Sequence, residues 1–335
     1  MDPRLDRACG TLLGLALGDA LGMPSQTLPR AEITARYGRI TGLIDPFDGH
    51  PVSHGLIAGQ VTDDTEQSFL LAKRLLADPP HFDEPAWARD LLDWEADIRA
   101  RGVRDLLGPS TKAALDALLA GVPATETGRA GTTNGAAMRI APVGIATPPR
   151  IPHLIDRVLL TCRVTHNTAE AIAGASAVAM VISRGIDGAS FDDALDDALD
   201  AARAGQRQGH PVGAPDMAGR IARALDLAAA GDEAAIATQV GTSVASHHAV
   251  PAAFAVLRLA NGDIWRAGLI AANIGDDTDT IGAIAGAMAG ACGGTAPLPA
   301  PAVARLRKVN DLPIEDTAQA LLALRDTGHT AGQTT

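Results

Sequence analysis

From residue 5 to residue 324 the chain is written almost entirely in one period. Apolar residues recur every three or four positions through 5–18, 64–76, 84–99, 111–120, 151–161, 168–184, 191–207, 218–230, 252–260, 264–272, 280–292, 300–309 and 314–324, the spacing of one buried helical face. Turn-forming dipeptides punctuate these runs: Pro79-Pro80, Gly108-Pro109, Pro148-Pro149 and the Pro297-Leu298-Pro299 step. Alternating apolar and polar runs, the mark of half-buried strands, are almost absent. The pattern predicts an all-α, single-domain orthogonal helical bundle over residues 1–326, followed by a polar, fraying tail at 327–335. The stretch 205–215 reads as a loop or insertion, because no flexible linker interrupts the chain.

Hydrophobic residues make up 47% of the sequence but aromatic ones only 3%. The core must therefore be built from Ala, Leu, Ile and Val, and so many alanines favour closely packed helices. A net charge of −11 disfavours a nucleic-acid-coating role, which would need a basic face, while leaving room for a local basic pocket for pyrophosphate. Cys9, Cys162 and Cys292 are odd in number and share no metal-ligand spacing; they read as small apolar residues of a reducing compartment. The first residues hold no apolar leader. The Ala-rich stretches near 171–183 and 281–292 read as too short and too broken by glycine to cross a bilayer. A cytoplasmic protein without a membrane partner is expected.

Two segments carry unusual chemistry. Thr62-Asp63-Asp64-Thr65 and Asp276-Asp277-Thr278-Asp279-Thr280 each crowd carboxylates and hydroxyls together, then open onto a helical run. A helix start welcomes one acidic side chain, which accepts its free N–H groups and faces the positive end of its dipole. Two or three carboxylates side by side repel one another unless a cation neutralises them. Donors that are all oxygen, with no Cys or His, suit a hard cation such as Mg²⁺ or Mn²⁺. Two such clusters meeting in space can hold two ions; two over-charged helix caps are the plainer alternative.

These segments belong to a longer series. Gly14-Leu15-Ala16-Leu17-Gly18-Asp19-Ala20-Leu21-Gly22, the Thr62–Thr65 motif, Asn134-Gly135-Ala136-Ala137-Met138-Arg139 with Ala141-Pro142-Val143-Gly144 behind it, Thr165-His166, and Gly275-Asp276-Asp277-Thr278-Asp279-Thr280-Ile281 follow one another over residues 10–292. In that order they resemble the ADP-ribosylglycohydrolase family, which includes the dinitrogenase reductase-activating glycohydrolase. Details such as Gly22-Met23-Pro24-Ser25 and Leu107-Gly108-Pro109-Ser110 are similar to a bacterial branch of it. The resemblance implies the same all-α fold and a ligand set for two Mg²⁺ or Mn²⁺ ions of Thr62, Asp63, Asp64, Asp277, Asp279 and Thr280. Asp276 stands where the family commonly has Gly and is left out of that set.

The resemblance also implies substrate contacts at Gln26, Asn134, Gly135, Ala136, Met138 and His166. Many relatives carry Glu where this chain has Gln26, and an amide cannot act as a general base. Asp105 lies near a position where relatives carry a substrate-facing acid, one residue or so out of register. Gln26 and Asp105 are thus weak catalytic candidates beside a water on the metal. A glycine loop at a helix start also offers backbone donors to phosphate or sugar oxygens, whereas Arg139 reads as a structural ion-pair partner and Asp19 as an anchor or a cap. His247-His248 are adjacent and cannot readily share one ion. No nucleophile elbow, P-loop or dinucleotide fingerprint is present.

The function expected is metal-dependent hydrolysis at the anomeric carbon of a ribose, a centre that reacts through an oxocarbenium-like state. The resemblance implies ADP-ribose on a protein side chain, arginine first, as the substrate. A small ribosyl compound or nucleoside is the alternative, and a non-catalytic ADP-ribose binder the reading from another class. A basic pocket would favour the first and a closed, neutral one the second.

Overall fold

The computed structural model describes residues 2–100, 108–213, 215–296 and 298–331. In chain order its helices are α1 (Pro3–Gly22), α2 (Arg30–Tyr37), α3 (Asp63–Ala77), α4 (Glu84–Ala100), α5 (Pro109–Leu119), α6 (Gly135–Met138), α7 (Ala141–Ala146), α8 (Ile151–Cys162) and α9 (Ala169–Ile186). They continue with α10 (Phe191–Gln206), α11 (Met217–Ala229), α12 (Glu233–Ala235), α13 (Ser246–Leu259), α14 (Ile264–Ala271), α15 (Thr278–Gly293), α16 (Ala300–Val309) and α17 (Ile314–Ala331). Among the described residues the only β-type pairings are isolated bridges, Leu28 with Asp276 among them.

The bundle is organised on a crossing that alanine would not permit. Helices α1 and α15 run antiparallel with glycines every fourth residue, and Gly10, Gly14 and Gly18 oppose Gly290, Gly286 and Gly282. A Cβ placed on Gly14 would lie 2.1 Å from the Gly286 carbonyl oxygen, and one on Gly18 would lie 2.0 Å from that of Gly282. The two backbones therefore touch. The same ladder ends at Gly22, where a Cβ would meet the Asp279 Cα at 2.4 Å, so it fixes the end of α1 against the start of α15.

Behind this pair runs α9, with every residue but Arg184 buried. Its 18 residues are long and apolar enough to pass for a membrane span, which corrects the expectation from sequence that this stretch is too short. Its burial inside the bundle accounts for that apolarity without a bilayer. Cys9 and Cys162 are buried and Cys292 half-buried. Burial pushes their thiols up to about 11, 11 and 12, so none is a ready nucleophile.

The predicted runs match these helices to within a few residues, with instructive exceptions. Helix α13 begins at Ser246, six residues before the predicted start, because Pro251 sits inside it. Proline lacks the N–H that would bond the His247 carbonyl four residues back; Arg220 Nε donates to that carbonyl instead, at 2.6 Å. The last helix continues to Ala331, into the stretch read as a fraying tail. Helix α2 was not expected, since it buries only Ile33.

Candidate metal centre

Both acidic segments start helices, yet neither uses its carboxylates as ordinary caps. The α3 cap is supplied by Asp19 of α1. Its carboxylate accepts from the Thr62 N–H at 2.9 Å, the Thr62 hydroxyl at 2.9 Å, the Thr65 N–H at 3.2 Å and the Thr65 hydroxyl at 2.5 Å. With the Thr62 and Thr65 N–H groups satisfied from another helix, these two groups make no demand on the carboxylates of Asp63 and Asp64. At the second segment Asp277 receives the Asn134 amide, and its own N–H donates to the Thr242 carbonyl at 3.0 Å.

Asp276 explains why glycine suits its position: its φ is 59°, in the left-handed region that disfavours a side chain. Its carboxylate accepts from the Thr242 hydroxyl at 2.9 Å. The backbone of Asp276 exchanges hydrogen bonds with the Gln26 loop, from Thr27 N–H at 2.6 Å and to Leu28 carbonyl at 2.8 Å.

These constraints bring the two segments to one cavity of about 190 Å³. Asp63, Asp277, Asp279 and Thr280 line it. Asp64 and Thr62 are buried just behind, with the Thr62 hydroxyl 3.2 Å from Asp64 Oδ2. Burial, and then mutual repulsion, holds the carboxyls of Asp63, Asp64 and Asp279 well above the usual range. Burial raises Asp19 and Asp277 to about 6, with hydrogen bonds from their partners opposing it.

Among the described residues, no three carboxylate, imidazole or thiolate groups are drawn into a tight cage. The donors at this cavity are carboxylates and hydroxyls from two helix starts, an arrangement more open than such a cage. Two buried carboxylate oxygens, Asp64 Oδ1 and Asp279 Oδ1, have no hydrogen-bond partner, a costly state for an ionised group. Unpartnered anionic oxygens in an all-oxygen cluster fit a hard divalent cation.

Of the expected substrate residues, Gln26, Asn134, Gly135 and Met138 line the same cavity. Gln26 donates its amide to Ser53 Oγ at 2.9 Å, and Ser53 in turn donates to the Met23 carbonyl at 2.6 Å. Ala136 is fully buried beneath the loop, and His166 lies one layer behind, packed against Gly135 and 3.0 Å from Thr133 Oγ1. Asp105 lies outside the described residues. His247 pairs with Glu170 at 2.5 Å and His248 with Ser243 at 2.8 Å, so they serve no common ion.

Sequence reasoning missed Val52 and Val244, apolar residues on the cavity wall, and Thr242, which holds the second acidic segment. Nothing in their chemistry marks them. The one signal is positional: Thr242 and Val244 follow a π-helical turn, Ile236–Val240, a geometry often found at functional sites.

The profile of the ADP-ribosylglycohydrolase family matches residues 1–330. The chain belongs to that family. It is 35% identical to the uncharacterized protein YegU of Escherichia coli K12 over 96% of this chain and 98% of that one. It is 27% identical to the ADP-ribosylarginine hydrolase Tri1 of Pseudomonas putida GB-1 over 88% of this chain and 72% of that protein. A solved ADP-ribosylglycohydrolase-related protein complex shares the fold at a TM-score of 0.68 and 26% identity, over 97% of this chain and all of that one. Members of the family are hydrolases of ADP-ribose glycosidic bonds, and the chain is an ADP-ribosylglycohydrolase-like glycosidase.

Proposed function

We propose that this enzyme is a divalent-cation-dependent hydrolase that removes ADP-ribose from a modified protein side chain, with the arginine-type N-glycosidic linkage as first choice. The observation that carries the reading is the meeting of both acidic helix starts with the Asn134-Gly135 loop at one cavity. Thr62, Asp63, Asp64, Asp277, Asp279 and Thr280 would hold two Mg²⁺ or Mn²⁺ ions. Bound there, such ions act as Lewis acids and orient the ribose hydroxyls. The arginine linkage follows the name of the Pseudomonas relative.

The chain's own residues do the rest. Asn134 fixes Asp277 through its amide and sits where it can also meet a sugar hydroxyl. Gln26 donates one N–H to Ser53; its amide has a second N–H and a carbonyl acceptor to offer a ligand, but no base. Val52, Met138 and Val244 form apolar walls that limit water around the anomeric carbon.

A second reading is favoured by one observation. Among the described residues, the cavity lining contains no Lys, Arg or His, so a diphosphate would meet no cationic side chain there. That suits a small ribosyl compound or nucleoside. Hydrolysis assays on ADP-ribosyl-arginine, ADP-ribosyl-serine and a nucleoside panel, with and without Mg²⁺, separate the two. Turnover of the ADP-ribosyl substrates supports the first reading, turnover confined to nucleosides the second, and none on any of them contradicts both.

A further inference from the structure

Arg139 is the only ionised donor in a buried relay behind the cavity. Its side chain has 0% exposure, and none of its ion pairs with a carboxylate is found among the described residues. Isolated buried charge is costly, and with its Nε–H unpartnered the guanidinium is held by the hydrogen bonds of its two terminal nitrogens. One guanidinium N–H goes to Gln67 Oε1 at 2.5 Å, and another to Thr165 Oγ1. Thr165 Oγ1 lies 2.8 Å from His166 Nδ1, and His166 Nε2 lies 3.0 Å from Thr133 Oγ1. Thr133 lines the cavity.

We propose that Arg139 is a positioning residue that fixes the direction of every hydrogen bond in this relay, so that Thr133 presents its hydroxyl hydrogen to an oxygen atom of the ribosyl ligand. Guanidinium donates and never accepts. Thr165 Oγ1 must therefore accept from Arg139, and its own hydrogen is directed to His166 Nδ1. With Nδ1 accepting, the neutral ring carries its proton on Nε2 and donates to Thr133 Oγ1. Thr133 then has its hydrogen free for the cavity. The reverse order would place the ring proton on Nδ1, leave the Thr165 hydrogen without an acceptor in a fully buried position, and turn the Thr133 hydrogen inward. An unsatisfied buried donor is the expensive outcome.

The same rule acts on the second branch. Because Gln67 Oε1 accepts from Arg139, its Nε2 faces Asp63 Oδ2, at 3.4 Å. One cation thus sets the polarity of both the ligand wall and a carboxylate of the acidic cluster. Arg139 is at the C-terminal end of the four-residue α6, whose backbone also carries the Asn134-Gly135 loop.

The role of Thr133 toward a ligand rests on the cavity being the substrate site, as proposed above, but the tautomer of His166 is a property of the free protein. Nitrogen NMR on ¹⁵N-histidine-labelled wild-type protein reads it directly, with His166→Asn used to assign the resonance. The expected result is a neutral ring with the proton on Nε2 and none on Nδ1. A ring protonated on Nδ1 would overturn the proposal whatever the enzyme's substrate. Arg139→Lys, which also can only donate, should keep the Nε2–H form; Arg139→Gln, whose carbonyl can accept, should release it to a mixture. An unchanged tautomer in folded Arg139→Gln would show that Arg139 does not set the direction. Thr133→Val should raise KM about tenfold, the loss of roughly one buried hydrogen bond, with kcat changed less; an unchanged KM would remove Thr133 from ligand contact while leaving the tautomer result to stand.

Discussion

The Thr65 hydroxyl donates to the Asp19 carboxylate across 2.5 Å, tying the first turn of one helix to the body of another. Asp19 also receives Thr62, so it sets where the Asp63-Asp64 pair begins. Replacing it by Asn should orient an amide hydrogen toward at least one of these donors. We expect Asp19→Asn to lose about 1–3 kcal/mol of stability and to weaken cation binding, as read by urea denaturation and calorimetry. A variant that matches the parent in both would show that the cap is dispensable.

The glycine ladder makes a purely steric prediction. In Gly18→Ala the new methyl group would lie 2.0 Å from the Gly282 carbonyl oxygen, and two packed backbones have little room to yield. Overpacking of this kind costs typically about 1–3 kcal/mol, and it should also disturb cation binding, because Asp279 lies in the first turn of α15. Gly42→Ala meets nothing within 4 Å and serves as a control. Equal denaturation midpoints for the two variants would argue against the tight crossing.

His50 gives the chain an acid-sensitive point on the loop that carries Val52 and Ser53. Its Nδ1 accepts from the Val52 N–H at 3.2 Å and the Ser53 N–H at 2.8 Å, which only an unprotonated nitrogen can do. Burial lowers its pKa from the model-peptide value of 6.5. As pH falls, the unfolded chain takes up this proton first, so His50's contribution is complete above pH 6.5 and is lost as pH falls through the lower folded value. Melting curves from roughly pH 7 to 5 should show a steeper decline for the parent than for His50→Asn, whose side chain can accept without titrating. Parallel curves would exclude the mechanism.

Much of the architecture was legible because a helix with one buried face repeats its apolar residues every three or four positions. Helix α2 was missed for the converse reason, since one buried isoleucine makes no period. The start of α13 was hidden by Pro251, whose missing donor is replaced by an arginine distant in sequence. At the site, the acidic segments were visible because crowded like charges need a reason. Val52, Thr242 and Val244 were not, because valine and threonine acquire a role only when long-range contacts bring their loops to the cavity. The Arg139 relay was equally hidden: its direction follows from which atoms meet, and sequence order does not reveal that.

Gln26 lines the cavity with the acidic side chains. Adding a carboxylate there should tighten cation binding, since opposite charges a few ångströms apart attract strongly in a partly desolvated site. We expect Gln26→Glu to raise Mn²⁺ affinity several-fold and to change the pH–rate profile. If affinity, profile and substrate preference all equal those of the parent, Gln26 has no part in the chemistry.

The account stands or falls on whether the two acidic helix starts hold divalent cations. Calorimetric titration of chelator-treated protein with Mn²⁺ is the direct measurement, run on the parent and on Asp63→Ala and Asp279→Ala after circular dichroism has confirmed their helical folds. The account predicts saturable binding by the parent that is lost or reduced at least tenfold in both variants. Parent protein that binds no Mn²⁺ or Mg²⁺, or folded variants that bind as tightly as the parent, would contradict it.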